Sequence, residues 1–178
     1  MSAVAEGLAA RNIATLRYQF PYMELGKKRP DSPSVAHAAV RAAVARASEM
    51  FGSLRLFAGG KSFGGRMTSQ AQALSALPSV AGLVFVGFPL HPPESPSIER
   101  AAHLSGVQIP MLFVQGTEDK LAELGRIRSV VKELGDRASL IEIAHADHAF
   151  HVLKRTGRSD GEVMEELLGA MARWMTAA

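Results

Sequence analysis

Residues 82–87 (Gly-Leu-Val-Phe-Val-Gly) and 110–116 (Pro-Met-Leu-Phe-Val-Gln-Gly) are apolar almost without interruption. Runs this short and this unbroken are strands buried on both faces, as in a parallel sheet. Residues 13–20 read as a further buried strand and 139–143 as the last one. A strand beginning near Leu54 runs into glycine at Gly59. Between these lie helix-period segments. Residues 3–10 read as the end of an amphipathic helix, with Met1 falling partway through it. Ser32 followed by Pro33 is an N-cap with proline at the first helical position, which opens a helix over 35–51 that Gly52 closes. Residues 67–74 have helix composition. A short helical piece is expected around 98–104. Leu121, Leu124, Ile127, Val131 and Leu134 make one helical face that stops at Gly135. Ser159-Asp160-Gly161-Glu162 is a capping box for a final helix whose core stripe is Val163, Leu167, Met171 and Trp174. Residues 88–97 hold four of the nine prolines and form a stiff irregular loop.

Strand and helix alternate throughout. That predicts a three-layer α/β/α sandwich with a mostly parallel sheet, built as a single domain over residues 1–178. Such sheets place ligands at the carboxyl ends of their strands, so the residues just after each strand matter most.

After the strand near Leu54, Gly60-Lys61-Ser62-Phe63-Gly64 fits G-x-S-x-G, the nucleophile elbow. A serine on a sharp strand-to-helix turn is lifted clear of the sheet, and its neighbours two away must lack bulk. The amide of Phe63, at the helix N-terminus, can then donate to a developing oxyanion. Gly60-Lys61-Ser62 also spells the end of a phosphate loop, but Arg55 stands where that motif needs its first glycine.

Composition narrows the chemistry. The chain has 178 residues, 47% hydrophobic and 21% charged, with a net charge of +3 and no cysteine. Thiolate nucleophiles, disulfides and cysteine-type zinc sites are therefore excluded. The densest basic spot, residues 26–30, reads as a solvated loop, so no nucleic-acid partner is expected. No apolar run reaches the length of a membrane span, and the first residues lack signal-peptide features. A cytoplasmic protein without membrane partners is the expectation.

Asp119 follows the 110–116 strand and His148 follows the 139–143 strand, so Ser62, Asp119 and His148 occur in the order Ser, Asp, His at successive strand ends. A serine nucleophile needs a base to accept its proton and a carboxylate to orient that base. Asp119 also suits the N-cap of a helix opening at Lys120. Glu118 is the alternative acid, and His145 and His151 are alternative bases. Asp147 reads as solvated. The spacing of His145, His148 and His151 invites a metal reading, but no further ligands complete such a site. His91 and Tyr22 are candidate cleft rims, with a surface histidine and a packed tyrosine as the plainer assignments.

The segments Gly59-Gly60-Lys61-Ser62-Phe63-Gly64-Gly65-Arg66, Gln115-Gly116-Thr117-Glu118-Asp119 and Ala146-Asp147-His148-Ala149-Phe150 resemble the small bacterial α/β-hydrolases of the dienelactone-hydrolase-like group. Phe20-Pro21-Tyr22 and residues 87–93 resemble the same group. The resemblance implies a Ser62 nucleophile, an Asp119 acid and a His148 base, with no cofactor. The better-known dienelactone hydrolases have cysteine where this chain has Ser62. The group also normally begins with a strand and a His-Gly-type oxyanion loop ahead of the helix that here opens at Met1, and that strand lies between the 13–20 strand and the elbow strand. This implies an N-terminally truncated domain with a gap in its sheet and Phe63 as the remaining oxyanion donor. Two functions fit these residues: hydrolysis of a small ester, thioester or lactone, or a non-catalytic scaffold that keeps the fold. Only about twenty residues separate the 82–87 and 110–116 strands, which predicts an open cleft without a lid domain.

Overall fold

A computed structural model describes residues 1–177. Four strands, β1 (Leu56–Lys61), β2 (Val80–Val86), β3 (Met111–Gly116) and β4 (Ala138–Ile143), form one sheet in sequence order. Every neighbouring pair is parallel. The helices are α1 (Ser2–Ala9), the short α2 (Pro21–Glu24), α3 (Pro33–Phe51), α4 (Phe63–Leu74), α5 (Leu124–Leu134) and α6 (Asp160–Ala177). A 3-10 segment, Glu99–Gly106, lies between β2 and β3.

The two central strands explain the three layers. Successive side chains of a strand point to opposite faces. Leu83 and Phe85 of β2, with Met111 and Phe113 of β3, pack with Val40 of α3, Met67 of α4 and Ile127 of α5. Val84 and Val86, with Leu112 and Val114, face the other way onto Leu8 of α1 and Leu167 of α6. Both faces are covered, which is why these strands carry no polar alternation. At the start of α6, the Ser159 amide donates to Glu162 Oε2 (2.7 Å) and the Glu162 amide to Ser159 Oγ (3.3 Å), completing the capping box.

Two expectations fail. Residues 13–20 form no regular secondary structure and join no sheet, and most of their side chains are exposed; only Phe20 is buried. A strand persists through ladder bonds to a neighbour. The neighbour within reach would be β1, which among the described residues pairs with β2 alone. A cavity of about 240 Å³ separates the two, walled by Ala14, Leu16 and Tyr18 on one side and by Leu56, Ala58 and Gly60 on the other. The gap thus lies beside β1 at the edge of the sheet, instead of inside a longer one. The second failure concerns the helix after β3, which begins at Leu124 and not at Lys120, with Glu123 in the N-cap position. Asp119 instead closes a local turn, its Oδ1 accepting the Leu121 amide at 2.8 Å. That side-chain bond offers the backbone an alternative to helix.

The 3-10 segment packs back on α4 through buried Leu104 and through a hydrogen bond of 2.8 Å between Ser69 Oγ and His103 Nε2. Burial, reinforced by the charges of Arg66 and His37, lowers the pKa of His103 to about 4. In the unfolded chain this imidazole takes up its proton near the ordinary value of about 6.5. Between those two values the unfolded state binds the extra proton, so stability falls as pH falls. Urea midpoints measured from about pH 6.5 down to about 4 should therefore drop more steeply for the wild type than for His103→Gln.

Candidate functional site: a serine, histidine and aspartate at three strand ends

The site is built on the turn between β1 and α4. Ser62 has φ 51° and ψ −115°, a positive-φ backbone that non-glycine residues rarely adopt. It is held there by its own amide, which donates to the Val86 carbonyl at 3.1 Å, so the end of β2 anchors the turn. The tight approach inside the turn is between Gly60 and Gly65. A Cβ on Gly65 would stand 2.7 Å from the Gly60 carbonyl oxygen, and one on Gly60 would stand 3.1 Å from the Gly64 carbonyl carbon. Gly64 is different, since a Cβ there would meet only a Phe20 ring carbon at 3.8 Å. The steric demand thus falls on Gly60 and Gly65, and not on both glycines of the five-residue pattern.

His148 lies on the loop after β4. Its Nε2 is 2.9 Å from Ser62 Oγ, and its Nδ1 is 2.7 Å from Asp119 Oδ2. An ionised carboxylate only accepts, so Nδ1 bears the ring proton and Nε2 is left to accept from the Ser62 hydroxyl. Close packing of two loops makes this possible: a Cβ on Gly116 would lie 2.2 Å from the Ala146 carbonyl oxygen, so the turn after β3 presses directly on the histidine loop. Thr117 and Glu118 extend the seam, with the Thr117 amide donating to Ile143 and the Glu118 amide to Ala146, each at 3.0 Å.

Asp119 is 3% exposed, and its carboxylate has three donors: Leu121 N–H on Oδ1, and the Gln115 amide and His148 Nδ1 on Oδ2. Gln115 is fully buried, and its Oε1 accepts the Phe88 amide at 2.9 Å. It therefore ties the end of β2 to the carboxylate. Sequence reading gave Gln115 no role; a lone amide inside an apolar strand was the available signal, because such a group needs partners for both ends.

The alternative residues go elsewhere. His145 pairs with Glu118 (3.3 Å) and His151 with Asp160 (2.8 Å), all on the exposed surface. The hydrogen bond to Asp160, followed by its charge, raises the pKa of His151. Asp147 is not simply solvated, since its Oδ1 accepts the amides of Ala149 (2.7 Å) and His151 (2.9 Å) and shapes the histidine loop. The three histidines thus diverge to three separate carboxylates. His91 is 1% exposed, which corrects its assignment to the surface. Tyr22 packs beside the elbow in an aromatic group with Phe20 and Phe63, ring centroids 5.3–6.4 Å apart. The 240 Å³ cavity is walled by neither Ser62, Asp119 nor His148; it runs along the free edge of β1.

A parallel sheet covered by helices on both faces, with an elbow serine in this setting, defines a class: the α/β-hydrolase fold. The sequence matches the family described as alpha/beta hydrolase domain over residues 1–176, and the chain belongs to that family. Solved structures agree on the fold. An alpha-beta serine hydrolase homologue from Coxiella burnetii matches with a TM-score of 0.72 at 18% identity, covering 97% of this chain and 74% of that one. XC6422 from Xanthomonas campestris, described as an a/b serine hydrolase without lid, matches with a TM-score of 0.73 at 20% identity, covering 97% and 72%. Est1E from Butyrivibrio proteoclasticus, solved with ferulic acid, matches with a TM-score of 0.65 at 16% identity, covering 96% and 82%.

The glycine geometry separates two neighbouring substitutions. Gly65→Ala forces a methyl against the Gly60 carbonyl and should destabilise by about 1–3 kcal/mol. Gly64→Ala should stay within about 0.5 kcal/mol of wild type. Urea denaturation of the two variants side by side checks this.

Proposed function

We propose that the chain is a serine hydrolase acting on a small ester, thioester or lactone through an acyl-enzyme. The observation that carries this reading is the unbroken line from Ser62 Oγ through both ring nitrogens of His148 to Asp119, at 2.9 and 2.7 Å. These are productive distances for a nucleophile, a base and its orienting acid. The family supports a hydrolase, and the positive φ of Ser62 supports its role as nucleophile.

In this reading Ser62 Oγ attacks the carbonyl carbon while its proton passes to His148 Nε2. Asp119 stabilises the resulting imidazolium and keeps the ring in place. The negative charge forming on the carbonyl oxygen is met by the Phe63 N–H, the first of the free amides at the N-terminus of α4. The tetrahedral intermediate collapses as Nε2 returns the proton to the leaving oxygen or sulfur. Water, activated by the same nitrogen, then attacks the acyl-Ser62 ester and releases the acid. The rings of Phe20, Tyr22 and Phe63 give an apolar wall beside the nucleophile, suited to the acyl side of the substrate. Phe63 is the one oxyanion donor this reading assigns. Removing one such donor from an enzyme typically costs about two to three orders of magnitude in rate, so modest turnover is expected.

A fluorophosphonate probe should label the wild type at Ser62. Ser62→Ala should abolish labelling, and His148→Ala should slow it by about three orders of magnitude or more. A folded wild type that the probe does not label would overturn the catalytic reading in favour of a scaffold.

A further inference from the structure

His91 lies on the connection after β2 and is almost completely buried. Its ring is flanked by two oxygens. Nδ1 is 2.7 Å from the Pro92 carbonyl oxygen and Nε2 is 2.8 Å from Glu123 Oε2. A peptide carbonyl can only accept. Glu123 is likewise an acceptor. Burial works to raise its pKa, but the hydrogen bond from His91, a backbone hydrogen bond and the charges of His91 and Arg126 outweigh this and hold it below the ordinary value. Arg126 Nε adds a contact of 3.1 Å to the same carboxylate oxygen. Because the carboxylate accepts, Nε2 is the donor in the contact that joins the two segments.

The two elements joined by this ring are the ones that hold Asp119. Residues 119–123 form neither helix nor strand, so no helix or sheet bonds fix them. The Leu90 and His91 amides both donate to the Leu121 carbonyl, at 2.8 and 3.3 Å, while the Leu121 amide donates to Asp119 Oδ1. Two residues further on, His91 Nε2 grips Glu123. On the other side, the Phe88 amide is bonded to Gln115, which donates to Asp119 Oδ2. The 88–91 segment therefore reaches both carboxylate oxygens of Asp119, each through one intermediary.

We infer that His91 is a positioning residue: buried between Pro92 and Glu123, its ring clips the irregular 119–123 turn through Glu123 and so holds the Asp119 carboxylate against His148. This rests on the hydrolase reading for its effect on rate, but not for its effect on structure. Glu123 is partly exposed, so its replacement tests the clip without opening the core. Glu123→Ala and His91→Gln should each slow fluorophosphonate labelling of Ser62 about tenfold, the loss expected when a hydrogen bond to a charged group is removed, and the double variant should lose little more. Glu123→Gln, which keeps an acceptor oxygen, should recover part of the rate.

Nitrogen-15 spectra of the imidazole rings give the second readout. In the wild type, His91 Nε2 should show a protonated-type shift as the donor to Glu123. Glu123→Ala should move that shift and should weaken the downfield Nδ1–H signal of His148. The inference is overturned if wild-type His91 Nε2 is unprotonated, or if Glu123→Ala leaves the His148 signal unchanged. Failure of the wild type to label would sink the hydrolase reading alone, because the ring spectra still decide the clip.

Discussion

The structure turns on the backbone of Ser62. A non-glycine residue held at positive φ costs of order 1–3 kcal/mol, so its surroundings must over-determine it. Here the Val86 carbonyl fixes the Ser62 amide at the end of β2, and the close approach of Gly65 to Gly60 leaves the helix one line of departure. Both restraints depend on β1 and β2 being in register, which in turn depends on the buried faces of β2 and β3. The serine's geometry is thus a consequence of core packing several residues away.

Asp119 and His148 are positioned by loop-to-loop contact. Gly116 lets the turn after β3 lie against the Ala146 carbonyl, at a distance where any side chain would collide. That contact brings Asp119 under His148, and three donors complete the carboxylate's coordination. A carboxylate buried without such partners would be strongly destabilising. Gln115, Leu121 and His91 therefore belong to the same construction as Asp119, although none of them touches Ser62 or His148 in the hydrogen-bond network.

The free edge of β1 is the open side of this architecture. Along it lies an apolar cavity bordered by residues 14–18, and Ser62 follows the end of the strand, outside the lining of that cavity. An edge strand exposes unpaired amides and carbonyls, which is the circumstance that pairing, twisting or covering ordinarily relieves. β1 is also the strand that delivers the elbow, so the least supported edge of the sheet and the most constrained turn are adjoining parts of one segment.

Most of the fold was legible in the sequence because its signals are local. Unbroken apolar runs marked β2 and β3, Ser32-Pro33 marked the start of α3, and the capping box marked α6. The meeting of Ser62, Asp119 and His148 was legible too, since each follows a strand in a recognisable context and in a fixed order. Other features were decided by tertiary structure. Residues 13–20 have the composition of a strand, but a strand exists only with a paired neighbour, and among the described residues none pairs with them. Asp119 has the preference of a helix cap, but its carboxylate is drawn to Leu121, Gln115 and His148. His91 reads as an ordinary loop histidine, and only the fold shows it buried between Pro92 and Glu123. Sequence determined what depends on near neighbours in the chain; the tertiary structure decided what depends on a partner brought from far along it.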